Sequence, residues 1–439
     1  MSQPLSPAAI SSAHGSASPR ESAIVWLLQG ARLGDNQQVL ALGAALEARF
    51  GWRTVVKQLK FERGPVPGSN PVDGIRHLKV AESDPIHASA TDPWPDLVIA
   101  VGRRAAPVAR WIKSQNAPFA VHVQIGRFQD PFDTVDLLVT TAQYGLPGGA
   151  NVLHLSLPMT ARKPDALRAA AEAFAPLFDG ATRPSIGVLV GGPSNPIKFG
   201  TKDGEKLAQE ALAFALKTDA RLLVATSPRT PKEVVAHLQA TLPAPHVVFP
   251  FEPGLGDRNP YPALLGRCDS FIVTNDSVSM VADAALTGRE VRVFDLPVKR
   301  PRPFWHPAWP LANWVGRRRN QRLVGGKPAD MLDRWFEGEV RAARAQPTRY
   351  VPIITARLLR ERHVALMSDK LPPRTDLAEL VVRELDMVSA RIMALIAERR
   401  AGALKSQIAR GGGLAARALS PRADINPALG LRPLGEVSG

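Results

Sequence analysis

The segment between residues 270 and 294 constrains the fold of this chain most, because it contains a complete strand–helix–strand unit. A β-rich run ends at Thr274, a helical pattern covers residues 278–287, and a second β-rich run follows Gly288. The polar residues before the helix are suited to cap its first turn, and a glycine suits the left-handed residue that ends a helix. The segment therefore predicts two parallel strands joined by a crossover helix.

The start of this predicted helix is a candidate anion site. Its first backbone N–H groups have no partner within the helix, and the helix dipole adds partial positive charge there. Either Asp276 or Ser277 can act as the N-cap, Ser279 adds a hydroxyl, and Asp283 is placed to bind sugar or ribose hydroxyls. An ordinary strand–helix–strand unit with a solvated helix face predicts the same spacing, so this segment alone leaves both interpretations open.

The same unit recurs along the chain. The predicted strands cover residues 23–28, 52–59, 96–101, 119–125, 137–140, 186–190, 222–225, 246–249, 271–274 and 291–294. Strands that alternate with helices of about 10–15 residues form parallel sheets, and a chain of 439 residues exceeds what one core usually supports. The predicted fold class is therefore α/β, with two Rossmann-like doubly wound domains and a helical, basic C-terminal extension.

Composition sets the expected boundaries and compartment. The segments that we expect are a disordered N-terminus (1–22), an N-terminal domain (23–160), a C-terminal domain (183–300), a helical C-terminal extension (301–410) and a disordered tail (411–439). The first 22 residues lack the apolar core of a secretory signal, and no run approaches the roughly 20 apolar residues of a membrane span.

A single cysteine excludes a disulfide framework and a multi-cysteine metal site. No histidine–carboxylate cluster has metal-ligand spacing. We expect a cytoplasmic protein without a metal.

The positive charge is concentrated in the last third of the chain. The whole chain carries +15, of which residues 299–439, with 26 Lys and Arg against 13 Asp and Glu, carry +13. Residues 1–298 hold 29 basic against 27 acidic residues, which argues against a dedicated nucleic-acid-binding domain there. Few aromatic residues are interleaved with the basic ones after residue 336, which also disfavours nucleic acid as a partner. We expect the basic region to contact an anionic lipid surface, or simply to solvate the chain.

Small or polar residues occupy the loops after five predicted strands. These loops are 34–36, 102–104, 191–194, 226–229 and 275–277. Carboxyl ends of parallel strands meet at one edge, so we expect all five loops to converge on one cleft. None contains a dinucleotide or Walker motif. Their glycines let the backbone approach a phosphate, and Arg103 and Arg229 are suited to neutralise it, although each alone fits a surface role equally well.

Asp35 is the candidate catalytic base. It follows the first predicted strand and faces the expected cleft, where a carboxylate can take a proton from an acceptor hydroxyl. The alternative is that Asp35 only caps the helix predicted to begin at Gln37. His122 lies within a predicted buried strand, so we interpret it as a core histidine.

These loops resemble the mitochondrial-fission ELM-type family, whose members have a GT-B glycosyltransferase-like fold. The matching segments are GARLGDNQQVLALGAAL (30–46), PDLVIAVGRRAAPVA (95–109), IGVLVGGPSNPIKF (186–199), TSPRTP (226–231), NPYPALLGRCDSFIVTNDSVSMVADAALTG (259–288) and VRVFDLP (291–297). The resemblance covers residues 24–297 and fades beyond about residue 300, where we expect helices that return to the first domain. It implies two facing domains, the second binding a nucleotide-sugar and the first an acceptor.

The resemblance assigns roles to the residues of the converging loops. The donor-binding residues would be Gly191, Gly192, Ser194, Ser227, Arg229, Asn275, Asp276, Ser277, Ser279 and Asp283. The acceptor-binding residues would be Gly34, Asn36, Gln37, Arg103 and Arg104. Members are also labelled as nucleotide-sugar epimerases. The short-chain-dehydrogenase type of epimerase needs Tyr-x-x-x-Lys, and none of the three tyrosines here is followed by a lysine at that spacing.

The expected function is inverting, metal-independent transfer of a sugar from a nucleotide-sugar to a cell-envelope or membrane-associated acceptor. Helix amides and Arg229 would stabilise the leaving group, and no cofactor is required besides the nucleotide-sugar substrate. The alternative is a scaffold or nucleotide-sugar-binding protein at a membrane surface, which keeps the fold without the chemistry.

Overall fold

The structure, a computed structural model, contains two parallel six-stranded sheets. It describes residues 22–64, 75–115, 120–160, 164–179, 181–298, 310–370 and 372–417. The strands of the first sheet are β1 (Ile24–Gln29), β2 (Arg53–Gln58), β3 (Leu97–Val101), β4 (Val121–Ile125), β5 (Leu137–Thr141) and β6 (Val152–Leu155). Their order is β2-β1-β3-β4-β5-β6, with every neighbouring pair parallel. The order reverses between β1 and β3, where ligands bind in open α/β sheets.

Helices cover both faces of this sheet because its strands are apolar on both sides. Helix α1 (Leu33–Phe50) packs on one face, where Val25 and Leu27 are buried, and α2 (Gly102–Gln115) packs on the other, where Trp26 and Leu28 are buried. Successive side chains of a strand point to opposite faces, which explains this division. The result is a three-layer domain that presents its loops at the sheet edges.

The second sheet repeats this plan. Its strands are β7 (Ser185–Val190), β8 (Arg221–Thr226), β9 (Val247–Phe249), β10 (Ser270–Thr274), β11 (Glu290–Phe294) and β12 (Ala365–Leu366), in the order β12-β11-β10-β7-β8-β9. Its helices are α3 (Pro164–Ala173), α4 (Ala175–Phe178), α5 (Thr201–Lys217), α6 (Lys232–Thr241), α7 (Pro260–Arg267) and α8 (Val278–Ala285). Here the order reverses between β7 and β10, so the predicted anion site lies at the switch point.

The C-terminal extension joins both domains. Its helices are α9 (Pro310–Val324), α10 (Met331–Arg341), α11 (Pro352–Arg360) and α12 (Leu377–Arg417). Helices α9 and α10 share a buried cluster with the first domain, and α11 packs into the core of the second. The start of α12 packs into the second core through Leu377 and Val381, and its middle packs into the first through Val388 and Ile392. The extension therefore packs against the cores of both domains.

The predicted fold class is confirmed by the two parallel sheets and their flanking helices. Two strands were not predicted. β6 is short and only partly buried. β12 has two residues and pairs with β11, although helices α9, α10 and α11 separate the two strands in the chain. Helix α1 begins at Leu33 rather than Gln37, and α12 continues to Arg417, although we expected disorder from residue 411.

An established helix extends with one hydrogen bond per residue, which offsets part of the cost of the glycines at 411–413. The disorder expected for residues 1–21 and 418–439 lies outside the described residues. Across the part of the chain that the structure describes, none of the helices combines the length and the apolar character that a membrane crossing requires.

Candidate functional site

The carboxyl ends of the two sheets face each other across a cleft, and Arg349 spans it. Arg349 lies between α10 and α11, and its Nε donates to Oε1 of Gln143, 2.9 Å away. Its Nη1 donates to Oγ of Ser194 at 3.5 Å. Gln143 follows β5 of the first domain and Ser194 follows β7 of the second. The loops that the sequence predicts to converge are therefore on opposite walls of one cleft.

Asp35 lies in the first turn of α1, on the first-domain wall. Asp35 is half-buried, and its carboxylate lies beside Gly102, which follows β3. A Cβ atom added to Gly102 would be 3.8 Å from Oδ2 of Asp35. Its carboxylate accepts no hydrogen bond and forms no ion pair with any described residue. Burial raises the pKa of Asp35, and the positive charges of Arg32 and Arg349 oppose that rise. A carboxylate with these properties suits a general base.

The alternative role for Asp35, capping a helix at Gln37, is wrong. The helix already begins at Leu33, its N-cap is Arg32, and no side chain caps it. The interpretation of His122 as a core histidine is confirmed, because His122 is wholly buried in β4 and burial lowers its pKa to about 3.

Asp276 is an internal anchor of the second-domain wall. Its Oδ2 accepts the backbone N–H of Gly192 at 2.9 Å, and its Oδ1 accepts the hydroxyl of Thr274 at 2.8 Å. Nη2 of Arg229 forms an ion pair with it at 3.0 Å, and the Asp276 side chain is completely buried. Burial raises the pKa of Asp276, while Arg229 opposes the rise. Asp276 therefore ties three loops together instead of facing the cleft.

The pair Gly191-Gly192 leaves room for this anchor. A Cβ at Gly191 would lie 2.4 Å from both carboxylate oxygens of Asp276, and one at Gly192 would lie 2.0 Å from the carbonyl oxygen of Arg229. Nη1 of Arg229 also donates to the carbonyl of Gly192 at 3.0 Å. The sequence located these glycines correctly, but their contacts indicate close packing of loops rather than exposure to a phosphate.

Two further donor-site candidates also shape the loops. Ser227 is buried, and its N–H donates to Oγ1 of Thr230 at 2.9 Å. The Asn275 side chain donates to Asp295 and accepts the N–H of Leu296 at 3.1 Å. Both side chains therefore have partners within the second domain.

The start of α8 has no side-chain cap. Ser277 is its N-cap residue but makes no capping hydrogen bond, so the expected side-chain cap is corrected. Its Oγ lies 3.4 Å from Oγ of Ser279, which is exposed. No described side chain accepts a hydrogen bond from the backbone N–H groups of residues 278–280. These N–H groups retain the anion-binding capacity of a helix start.

Asp283 does not lie open for a ribose. Its Oδ1 accepts the hydroxyl of Thr160 at 2.8 Å, and its Oδ2 accepts the hydroxyl of Tyr261 at 3.0 Å. Thr160 precedes α3 in the connection between the two sheets. Asp283 therefore ties that connection to α8, which corrects its expected role.

The acceptor-side candidates divide into two groups. Asn36 exchanges two hydrogen bonds with the backbone of Gly30, and Arg104 donates to the carbonyls of Glu62 and Gly64, so these two side chains support the loops. Gly34 and Arg103 are exposed, and Gln37 is half-buried. This second group remains available to a ligand.

Three cleft residues were missed from the sequence: Arg349, Arg127 and Tyr144. Burial lowers the pKa of Arg349 and raises that of Tyr144, and each residue feels the charge of the other and of Asp35. Arg349 lies beyond residue 300, where the resemblance to a family fades. Tyr144 and Arg127 follow predicted strands, so the strand-end argument was sufficient to find them.

Comparison with known proteins gives a family and one curated relative. A family model described as Mitochondrial fission ELM1 matches residues 33–304. Mitochondrial fission protein ELM1 of Arabidopsis thaliana is 28% identical over 174 residues, and the match spans 38% of each chain. The matched part of this chain thus covers 38% of the length of that relative.

Solved structures with a similar arrangement have low identity. UDP-GlcNAc 2-epimerase from Neisseria meningitidis bound to UDP-GlcNAc is 12% identical, with a TM-score of 0.39, over 76% of this chain and 97% of that one. Spinosyn forosaminyltransferase SpnP is 15% identical, with a TM-score of 0.36, over 86% and 100%. The glycosyl transferase family 9 protein from Veillonella parvula is 14% identical, with a TM-score of 0.37, over 64% and 83%. Because these scores are low, the fold assignment rests on the sheet topology described above.

Proposed function

This chain belongs to the mitochondrial fission ELM1 family, and we propose that it is a GT-B-type glycosyltransferase that uses a nucleotide-sugar. One observation carries the proposal. Asp35, a half-buried carboxylate without a partner among the described residues, lies near Arg349, which in turn reaches the loop beside the uncapped start of α8. A base on one wall and cationic and amide groups on the other suit attack on a sugar held between them.

The donor diphosphate would lie at the second-domain wall. The first N–H groups of α8 have no side-chain cap there, and Arg349 would supply the positive charge. Arg349 replaces Arg229 in this role, because Arg229 is already paired with Asp276, whereas Arg349 has no ion-pair partner within the described ranges. Arginine is well suited to this task because its planar guanidinium binds phosphate oxygens in pairs.

The chemistry follows from these positions. Asp35 accepts the proton of an acceptor hydroxyl as that oxygen attacks the anomeric carbon. The bond from this carbon to the diphosphate oxygen breaks at the same time, and the configuration at the carbon is inverted. Arg349 and the α8 amides stabilise the negative charge that develops on the departing nucleoside diphosphate. Asp35 then releases its proton to water.

Calorimetric titration with a panel of nucleoside diphosphates and nucleotide-sugars, followed by a product assay, tests the proposal. Arg349→Gln should weaken diphosphate binding at least tenfold, because it removes the cation that reaches the second-domain wall. Asp35→Asn should keep the binding and lose turnover. Wild-type binding without turnover would indicate a sensor, and the absence of binding would leave only a scaffold; either result overturns the transferase proposal.

A second candidate is a non-catalytic scaffold on an anionic membrane surface. Trp314 of α9 and Trp335 of α10 are 49% and 38% exposed, and Arg317 and Arg334 lie on the same two helices. Tryptophan and arginine together favour the interface between water and an anionic bilayer. These helices belong to the basic region of residues 299–439, whose charge complements such a surface. The protein would then bind peripherally at the cytoplasmic face.

A further inference from the structure

Three neighbouring strands of the first sheet each deliver an arginine to the cleft. Arg32 follows β1, Arg103 follows β3 and Arg127 follows β4. In the sheet β1 pairs with β3, and β3 pairs with β4. Neighbouring strands are about 4.8 Å apart, so the ends of these three strands lie within about 10 Å of one another. The positive charges of Arg103 and Arg32 both act on Arg127, so the three guanidinium groups share one wall of the cleft.

None of these three side chains has a partner in the described part of the molecule. The side chains of Arg32, Arg103 and Arg127 form no hydrogen bond and no ion pair with a described residue. Other arginines of α2 differ: Arg110 is paired with Asp130, and Arg104 donates to two backbone carbonyls. The lack of a side-chain partner therefore distinguishes Arg103 from the other arginines of α2.

The position of Arg127 is electrostatically unfavourable for its positive charge. It is half-buried and follows Gly126, whose φ of +79° turns the chain beside Tyr144. Burial lowers the pKa of Arg127, and the positive charges of Arg103 and Arg32 lower it further. Like charges that are close and partly desolvated repel, and an anion placed among them would relieve that repulsion.

The charge balance of the wall indicates a dianion. Asp35 is the carboxylate whose charge couples to this region, and it interacts with Arg32 and Arg349. Neither Arg103 nor Arg127 forms an ion pair with an acidic residue in the described part of the chain. A carboxylate ligand would offset one of these two charges, whereas a phosphate carries about two and offers three oxygens to guanidinium groups.

We propose that Arg32, Arg103 and Arg127 bind a phosphoryl group, so that the acceptor is a phosphorylated molecule. The role of this phosphorylated ligand as an acceptor rests on the transferase proposal, whereas the phosphate site itself does not. This site is distinct from the donor site, because the donor diphosphate would lie at the start of α8 on the opposite wall. A soluble sugar phosphate and a phosphate-bearing lipid headgroup share the required chemistry.

Titration of the whole protein with inorganic phosphate tests the site. A saturating nucleoside diphosphate is present to occupy the donor wall, and is omitted if none binds. Arg127→Gln and Arg103→Gln should each weaken phosphate binding at least tenfold. Arg127→Lys should recover part of it, because the charge returns without the fork of donors. The control is Arg53→Gln. Arg53 begins β2, at the amino ends of the strands and away from the carboxyl ends that line the cleft, so this variant should leave phosphate binding unchanged.

The outcomes separate this site from the proposed function. Equal phosphate binding in Arg127→Gln and Arg53→Gln would overturn the site, and so would loss of nucleoside diphosphate binding in Arg127→Gln, which would assign the arginines to the donor. Wild-type phosphate binding that is lost in Arg127→Gln while no nucleotide binds would keep the site and reject the transferase. A melting temperature lowered by several degrees in Arg127→Gln would indicate a structural role instead.

Competition identifies the source of the phosphate. A soluble hexose phosphate is compared with phosphatidylcholine vesicles that contain phosphatidic acid. Displacement of inorganic phosphate by the hexose phosphate alone assigns a soluble acceptor, and displacement by the vesicles alone assigns a lipid acceptor. Failure of both to compete would overturn the inference that the acceptor is phosphorylated.

Discussion

Two aspartates at the strand ends show how the same residue type takes different roles. Asp276 is enclosed by Gly192, Thr274 and Arg229, and it holds loops together. Asp35 has no such partners and lies at the cleft. The sequence placed both residues at strand ends, because strand patterns are local. It did not separate their roles, because the partners of Asp276 lie up to 84 residues away in the chain.

Asp35→Asn should abolish the base without weakening the fold. Removal of a general base costs about 10²–10⁴-fold in rate. Because burial raises the folded-state pKa of Asp35, its ionised form is disfavoured by folding. Ionised Asp35 therefore lowers the free energy of unfolding at pH values above its folded-state pKa. This free energy rises again as the pH falls through that pKa, because Asp35 becomes protonated. At pH 7 the variant should therefore melt no lower than the wild type.

Melting temperature and turnover, both measured as a function of pH, check this. The acid limb of wild-type turnover should lie at higher pH than the ordinary pKa of an aspartate, because protonated Asp35 cannot act as a base. A melting temperature at pH 7 that drops by several degrees in Asp35→Asn, or unchanged turnover, would contradict the assignment.

Gly192→Ala should destabilise the second domain. The added Cβ would lie 2.0 Å from a backbone oxygen of Arg229, which cannot move without shifting the loop. Overpacking of this kind costs about 1–3 kcal/mol or more. Gly338→Ala in α10 is the control, since a Cβ there meets no atom within 4 Å. This variant should raise the free energy of unfolding by about 0.5–1 kcal/mol. Urea unfolding compares the two, and equal midpoints would refute the packing argument.

At the scale of elements, the long apolar strands of both sheets could be predicted because their pattern is local. The weaker elements could not. β12 has two residues and exists only because the chain returns to pair beside β11 after some 70 residues of extension. Ser156, at the end of β6, donates from its N–H and its hydroxyl to Glu384 of α12, 228 residues away. Such long-range contacts leave no periodic signal.

Helix α12 should contribute to the stability of the first domain. Ile392 is completely buried in the core of the first sheet, whereas the next residue, Met393, is 45% exposed. Ile392→Ala should cost about 2–5 kcal/mol, because it leaves a cavity in a packed core. Met393→Ala should stay within about 0.5 kcal/mol. Chemical unfolding measures both, and equal losses would show that α12 does not dock as described.

At the scale of the whole molecule, the uneven charge of the chain has a structural use. Arg399 and Arg400 of α12 pair with Asp136 and Asp96 of the first domain. Arg319 of α9 donates to the carbonyl of Gly145 at 2.9 Å. Part of the basic excess therefore attaches the extension to the first domain. This attachment could not be predicted from local patterns, since these partners are between 174 and 304 residues apart in the chain.

The remaining exposed groups of the extension determine whether the second candidate function holds. Each lysine or arginine near an anionic bilayer contributes about 1 kcal/mol, and this attraction is screened by salt. An exposed tryptophan adds an apolar anchor at the interface. The protein should therefore float with vesicles that contain phosphatidylserine at low salt, float less at about 0.5 M salt, and not float with neutral phosphatidylcholine vesicles.

The double variant Trp314→Ser/Trp335→Ser should reduce this flotation several-fold, because it removes the apolar anchors and keeps every charge. Leu216→Ser is the matched control, since Leu216 is 80% exposed on α5 of the second domain and lies outside the basic region. Flotation that is equal for neutral and anionic vesicles would reject the electrostatic part of the scaffold model. Equal loss in the double variant and the control would reject α9 and α10 as the membrane-facing surface, because exposed apolar groups anywhere on the molecule would then have the same effect.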